Sequence, residues 1–398
     1  MLSDFTITPG STTAFGPGSS LQLAQYLPPD TKRVFVVADP GVVAAGLVGP
    51  IVEAIESAGL EYQVFDGVDP NPTDQNVDAG LEKLRAFGDS VVVLVGGGSA
   101  MDCGKCIAIA APNEGRGIEY ALHVGLGDGD MIDMSTLGSA RLPERQPYPT
   151  VAIPTTSGTA SETNGGGLIT DSESHRKLTF NNDAVKPMAT LLDPALTLGL
   201  PVTATAACGM DVLTHAIEAF TSQGANAYAD TFAIRAIELV RIWLPKAVSH
   251  GDDLEARANM LWASHLAGLA FSAGPLLGLV HATGHPISAR FNQAHGQTLA
   301  TMLPHVMRFN RDVCAERYGR IGEALGVAPD ADAAIAAIEE LSAEVGTAKN
   351  LSELGGSESD LDALTQDALS DLIILTTPRY PTRDEVRDLY ARALGTNA

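Results

Sequence analysis

Cysteine is scarce in this sequence, with four in 398 residues, so no disulfide framework organises the fold. Basic side chains are also few: 25 lysines and arginines stand against 48 aspartates and glutamates, a formal net charge of -23. Such a surface repels nucleic acid and anionic lipid over most of its area, which argues against a partner of either kind and favours solubility. No segment offers the run of about 18 apolar residues needed to cross a bilayer. The opening MLSDFTITPG has no basic stretch leading into an apolar core, as a secretory signal would. The expectation is a cytoplasmic protein that binds neither nucleic acid nor membrane. Charged residues make up 18 % and hydrophobic ones 45 %, so a large core is expected, and the length suits two domains.

Cys103 and Cys106 form a C-x-x-C in GSAMDCGKCIAIA. A redox dithiol is one reading. The pair lies inside a predicted helix among small apolar residues, however, and close packing of that helix onto a sheet explains it better.

Strands and helices alternate from about residue 30 to 195. RVFVVAD, YQVFDGV and VVVLVGGG are β-rich runs, and PGVVAAGLVGPIVEAIESAG and TDQNVDAGLEKLRAFG between them are spaced as helices. This alternation predicts a parallel sheet covered on both faces. Beyond LLDPALTLGLP only helical spacing remains, as in GMDVLTHAIEAFTS and ADTFAIRAIELVRIWLPKAV. The predicted organisation is an N-terminal α/β nucleotide-binding domain over residues 1–197 and an all-helical C-terminal domain over 198–398. The stretch from Tyr120 to Pro149 is rich in turn formers and is expected to be a long loop.

In VVVLVGGGSAMDCGK a buried strand runs through three glycines and Ser99 into a helix, so backbone N–H groups and a helix N-terminus can face a pyrophosphate. The spacing departs from G-x-G-x-x-G, and a plain strand–helix turn capped by the serine is the alternative. Asp39 closes the first strand in VVADPGV. There a carboxylate can accept from a ribose hydroxyl and repel a 2′-phosphate, favouring NAD over NADP, and it can equally cap the helix begun by Pro40. IPTTSGTASETNGGGLITD gathers the hydroxyls of Thr155, Thr156, Thr159 and Ser161, suited to a cofactor or to bonds within their own turns.

GMDVLTHAIEAF places Asp211 and His215 four apart on one helix face, a competent half-site for a metal or a simple hydrogen bond. GLVHATGHPISARFNQAHG adds His281, His285 and His295. Spacing allows His281 and His285 together, or one of them with His295, and Pro286 should bend the helix just beyond His285. An aspartate with histidines and no thiolate suits Fe(II) or Zn(II).

In this order and over nearly the whole chain, GGGSAMD, PTTSGTASE, MDVLTHAIEAF, GLVHATGHP and AHG resemble the iron-dependent (group III) alcohol dehydrogenase family, and LPHVMRFN and the Pro378–Arg379 pair add to the likeness. The resemblance implies a dehydroquinate synthase-like fold, with an α/β domain for NAD(H) and a helical metal domain. It implies Asp211, His215, His281 and His295 as metal ligands, with Fe(II) ahead of Zn(II), and His285 as a non-ligand residue that relays protons. Asp39, Gly97, Gly98, Ser99, Asp102, Thr155, Thr156, Thr159 and Lys177 match positions around the family's cofactor. The implied reaction is hydride transfer between NAD(H) and a small alcohol or aldehyde, in a homodimer. Rivals are a lyase of the dehydroquinate synthase type and a metal-free maleylacetate-type reductase. The sequence departs from the family's pattern at Pro275, at Gly165, Gly166 and Gly167, and in the length of the 120–149 segment, from which a roomier substrate pocket is expected.

Overall fold

The computed structural model describes residues 10–127, 132–174 and 177–395. These fall into two compact units.

One unit takes the described chain from Gly10 to His123 together with Leu137–Gly199. Its elements in order are β1 (Thr12–Phe15), β2 (Arg33–Ala38), α1 (Pro40–Ala44), α2 (Val48–Ser57), β3 (Glu61–Phe65), α3 (Asp74–Phe87), β4 (Val91–Gly96) and α4 (Gly98–Ala110). After β5 (Leu122–Leu126) and β6 (Ile132–Ser139), whose greater parts belong to the other unit, come β7 (Thr150–Pro154), β8 (Gly166–Thr170), β9 (Lys177–Asn181) and β10 (Ala189–Leu192). Six strands form one sheet in the order β1-β10-β7-β4-β2-β3, and every neighbouring pair is parallel. Continuous apolar runs follow from this, because a parallel sheet is covered on both faces.

The period of two is visible in the core. Phe35 and Val37 of β2 and Val92 and Leu94 of β4 pack with Leu81 and Leu84 of α3 and Met101 and Ile107 of α4. Val34, Val36, Val91, Val93 and Val95 turn the other way and meet Ile51 and Ile55 of α2. Cys103 and Cys106 belong to the first of these clusters as free thiols, and burial pushes both thiols well up. Their role is packing, as expected.

Two expectations need correction. The helical stretch after Asp39 is not one helix but two, α1 and α2, separated at Gly46, whose φ of 75° lies in the left-handed region that ends a helix. The segment from Tyr120 to Pro149 is not simply a loop. β5 and β6 pair as a two-stranded sheet, and Gly125 N donates to Thr136 Oγ1 at 2.7 Å. Residues 128–131, part of the stretch expected to be loop, lie outside the described residues.

The other unit is built on the chain from Leu200 onward, with Val124–Thr136. Its helices are α5 (Val202–Thr221), α6 (Ala227–Ser249), α7 (Leu254–Ser272), α8 (Leu279–Phe291), α9 (His295–Asn310), α10 (Ala315–Leu325), α11 (Ala331–Glu344), α12 (Leu361–Leu369) and α13 (Arg383–Ala393). Side-chain caps start several of them: Asn226 accepts from Ala229 N, Asp253 from Ala256 N and Asp330 from Ala333 N. Helix α5 is buried from Thr205 to Thr221 except at Cys208 and packs against α6, α7 and α9, so it runs through the interior. Polar side chains on α5 are therefore withdrawn from water and need partners.

Candidate functional site

Asp211 and His215 sit one turn apart on α5, His281 lies near the start of α8, and His295 is the first residue of α9. The three imidazoles converge on a single carboxylate oxygen. Asp211 Oδ1 is 3.3 Å from Nε2 of His215, 3.7 Å from Nε2 of His281 and 3.8 Å from Nε2 of His295. Asp211, His281 and His295 each place a donor atom within 4.8 Å of the others. Donors about 2.0–2.2 Å from a common tetrahedral cation lie about 3.3–3.6 Å from one another, which is near this spacing.

Asp211 is 2 % exposed and His281 1 %. Asp211 Oδ1 and His281 Nε2 are buried without a hydrogen-bond partner. Two such atoms facing each other are costly unless a cation satisfies both. Burial works against the charge on Asp211, but His215, His295 and His281 outweigh it and hold its carboxyl well below the usual range. Burial also opposes protonation of His281, yet Glu218 and Asp211 raise its pKa to about 9. The pocket thus favours positive charge, and its donors fit a divalent metal.

The segment Leu279–Phe291 is one helix with Pro286 inside it, so His281 and His285 stand on the same element. His285 turns to a different partner from His281: its Nδ1 is 2.5 Å from Asp371 Oδ2, and its ring stacks on His295 at 5.2 Å between centroids. Asp371 also caps the turn Leu372–Thr376 through Ile373 N. Burial pushes the Asp371 carboxyl up, but His285 prevails and lowers it. On His281 the corresponding place is taken by Glu218, whose Oε2 is 2.5 Å from Nδ1 and whose Oε1 accepts from Val280 N at 2.6 Å. Gly296 permits the close packing that brings His295 in, since a Cβ there would lie 2.0 Å from Ala207 O and 3.2 Å from Asp211 Cβ.

Sequence reading did not single out Glu218 or Asp371. Glu218 carried a signal, being three residues beyond His215 and seven beyond Asp211 on one helix face. Asp371 carried none.

In the α/β unit the glycine-rich turn joins β4 to α4. The N-cap is Gly97 with no side-chain cap, and Ser99 lies inside the first turn, so the serine-cap alternative is overturned. The first-turn N–H groups of α4 therefore receive no capping side chain, the arrangement that suits an anion. Thr155 N donates to Gly96 O at 3.0 Å. Thr156 and Thr159 pack on the turn: a Cβ on Gly97 would meet Thr156 at 3.2 Å, and one on Gly98 would meet Thr159 at 2.8 Å. Asp39 caps α1 by accepting from Val42 N at 3.0 Å, and its Oδ2 lies 3.3 Å from the point where a Cβ on Gly96 would stand.

Behind this surface Asp102 accepts from Ser161 Oγ at 2.7 Å and from Leu168 N at 3.0 Å. Lys177 Nζ donates to Asn71 Oδ1 at 3.1 Å. Sequence reading overlooked Lys105, which is 0 % exposed and donates to Ser161 O at 2.5 Å, Ser161 Oγ at 2.7 Å and Gly166 O at 2.8 Å. It ties the hydroxyl-rich loop to α4. Gly165 and Gly167 do not open a pocket by lacking side chains. A Cβ on Gly165 would lie 2.2 Å from Asn182 O, and one on Gly167 would lie 2.5 Å from the Phe180 ring and 3.0 Å from Asp102 Cβ. Backbone and core already fill those two spaces.

Two family descriptions cover nearly all of the chain: "Iron-containing alcohol dehydrogenase" over residues 10–194 and "Fe-containing alcohol dehydrogenase family, C-terminal" over 205–394. Alcohol dehydrogenase 4 of Schizosaccharomyces pombe is 37 % identical over 388 residues, covering 96 % of this chain and 88 % of its own. The NAD-dependent methanol dehydrogenase of Bacillus methanolicus is 33 % identical over 401 residues, covering 99 % and 100 %. The crystal structure of a 1,3-propanediol oxidoreductase superposes with a TM-score of 0.87 at 36 % identity, covering 99 % of this chain and 100 % of that one. The chain belongs to the iron-containing alcohol dehydrogenase family. It is accordingly an oxidoreductase of the metal-dependent alcohol dehydrogenase class, with an α/β unit and a helical unit as the resemblance implied. No helix among the described residues is long and apolar enough to cross a membrane.

Proposed function

We propose that Asp211, His215, His281 and His295 hold one divalent metal, Fe(II) ahead of Zn(II), and that the enzyme passes a hydride between NAD(H) and small alcohols or aldehydes. The observation that carries this reading is the convergence of three Nε2 atoms on the unpartnered Asp211 Oδ1. Relatives named for methanol and 1,3-propanediol support a small alcohol, and the methanol enzyme's name supports NAD. Held by these residues, a divalent metal would supply Lewis-acid polarisation of a substrate oxygen and NAD(H) would supply the hydride carrier.

The chain's own residues do the rest. Asp211 and the three imidazoles fix a positively charged position and exclude water from it. His285, steadied by Asp371, takes the alcohol proton during oxidation and returns it during reduction. The turn at Gly97, Gly98 and Ser99 receives the pyrophosphate. Asp39 receives the ribose hydroxyls and disfavours a 2′-phosphate. Thr155, Thr156 and Thr159 line the cofactor's path, and Asp102 and Lys177 brace it. The division at residues 197 and 198 separates these two tasks, and the working form is a cytoplasmic homodimer.

Metal analysis joined to an NAD(H)-coupled screen of alcohols and aldehydes tests this reading, with Asp211→Ala and His281→Ala alongside the parent. Loss of metal and turnover with NAD binding retained is the expected result. Unchanged metal content in either variant overturns the ligand set.

A further inference from the structure

Glu218 belongs to none of the roles assigned above, yet it is buried against the metal candidates. Its two oxygens face two different donors, Val280 N at 2.6 Å from Oε1 and His281 Nδ1 at 2.5 Å from Oε2. The place is shaped for it: a Cβ on Gly278 would come within 3.1 Å of Oε1. Val280 N–H can only donate. An ionised carboxylate has only acceptors to offer, so where Glu218 fills both positions His281 Nδ1 faces it as the donor, whereas an amide would accept from Val280 and present its own N–H to Nδ1.

From this geometry we infer that Glu218 is a positioning residue for metal binding: it holds the His281 proton on Nδ1 and so keeps the Nε2 lone pair aimed at the cation shared with Asp211. The inference rests on the ligand set proposed above. A neutral imidazole has one proton and one lone pair, and the partner of one nitrogen decides which atom keeps the lone pair. Glu218 supplies that partner from α5, the same helix that carries Asp211 and His215. Helix α5 therefore provides two donors and also orients a third on α8.

Glu218→Gln is the informative change because it preserves shape. Its amide oxygen must meet the Val280 N–H, which leaves the NH2 facing Nδ1. That NH2 donates to Nδ1, moves the imidazole proton to Nε2 and removes the lone pair from the metal side. Changing a residue that orients a metal-binding imidazole through its other nitrogen costs about 10- to 100-fold in metal affinity.

The test is a double-mutant cycle on the full chain, stripped of metal and titrated with Zn(II) against a chromophoric chelator. Circular dichroism and thermal unfolding of the stripped proteins check the fold. Glu218→Gln is expected to weaken Zn(II) binding about 10- to 100-fold in the parent and less than about threefold in a His281→Asn background, because the two residues act as one unit. Equal losses in both backgrounds, or a loss under about threefold in the parent, overturn the positioning role. If the glutamine variant does not fold, Glu218→Asp replaces it, with the same dependence on His281 expected. His281→Asn alone reports on the ligand set: Zn(II) affinity equal to the parent's would mean that the metal reading itself has failed.

Discussion

Asp371 Oδ2 lies 2.5 Å from His285 Nδ1 across 86 residues of sequence, so a carboxylate on a short turn orients the one histidine of the cluster that does not face Asp211. On the proposed reading, this separates a proton-relay histidine from the metal ligands within one group of imidazoles. His285→Ala is expected to lower kcat for alcohol oxidation by about 10²–10⁴-fold, the usual range for a lost acid–base group. Asp371→Asn is expected to lower it less. Both variants should keep the parent's metal content and NAD affinity, as measured by elemental analysis and NADH fluorescence titration. Loss of metal in His285→Ala would make that histidine a ligand instead.

Gly296 offers a test through packing alone. Its Cα sits against the backbone of α5, and an added Cβ would overlap Ala207 O at 2.0 Å, so α9 has to move away and take His295 with it. Overpacking of this kind costs about 1–3 kcal/mol. Gly296→Ala is expected to weaken Zn(II) binding by about tenfold or more while leaving NADH binding to the α/β unit unchanged. Chelator competition and fluorescence titration read the two effects separately.

The sheet was legible because β2 and β4 are continuous apolar runs, and the second unit was legible because helical spacing continues without interruption from α5 onward. Half of the proposed metal site was legible for the same reason, since Asp211 and His215 stand four apart on one helix face. Spacing could not choose among His281, His285 and His295. The structure distinguishes them by buried acids distant in sequence: Glu218 on α5 pairs with His281 and Asp371 beyond α12 pairs with His285. The paired strands β5 and β6 were hidden by the turn formers between them. Lys105 was hidden because a lysine in a helix ordinarily reads as solvent-facing, and only the packing of the 161–166 backbone over α4 gives it three acceptors.

Burial of Lys105 has a consequence for stability that depends on pH. Burial lowers its pKa to about 8, against the opposing pull of Asp102 and Glu162. Its folded pKa is below its ordinary value of about 10.4, so between these values the unfolded chain binds more protons and stability rises with pH. Below about pH 8 both states are protonated and the contribution is flat. Lys105→Met removes one of the two cations, with Lys177, that favour the buried Asp102 carboxylate, and leaves Ser161 O and Gly166 O without their donor; it is expected to cost about 3 kcal/mol near neutral pH. The deficit of the variant relative to the parent should grow as pH is raised from about 7.5 to about 9.5 in urea unfolding. A deficit that shrinks over this range would contradict the assignment.

The central claim is that four side chains from three helices share one cation. An anomalous difference map at the absorption edge of the bound metal, from crystals of the metal-loaded protein, tests it most directly. The account predicts one peak per chain, about 2.0–2.2 Å from Asp211 Oδ1 and from Nε2 of His215, His281 and His295, with His285 outside the coordination sphere. A peak bound by His285 in place of one of these ligands, or a metal held elsewhere in the chain, would contradict it.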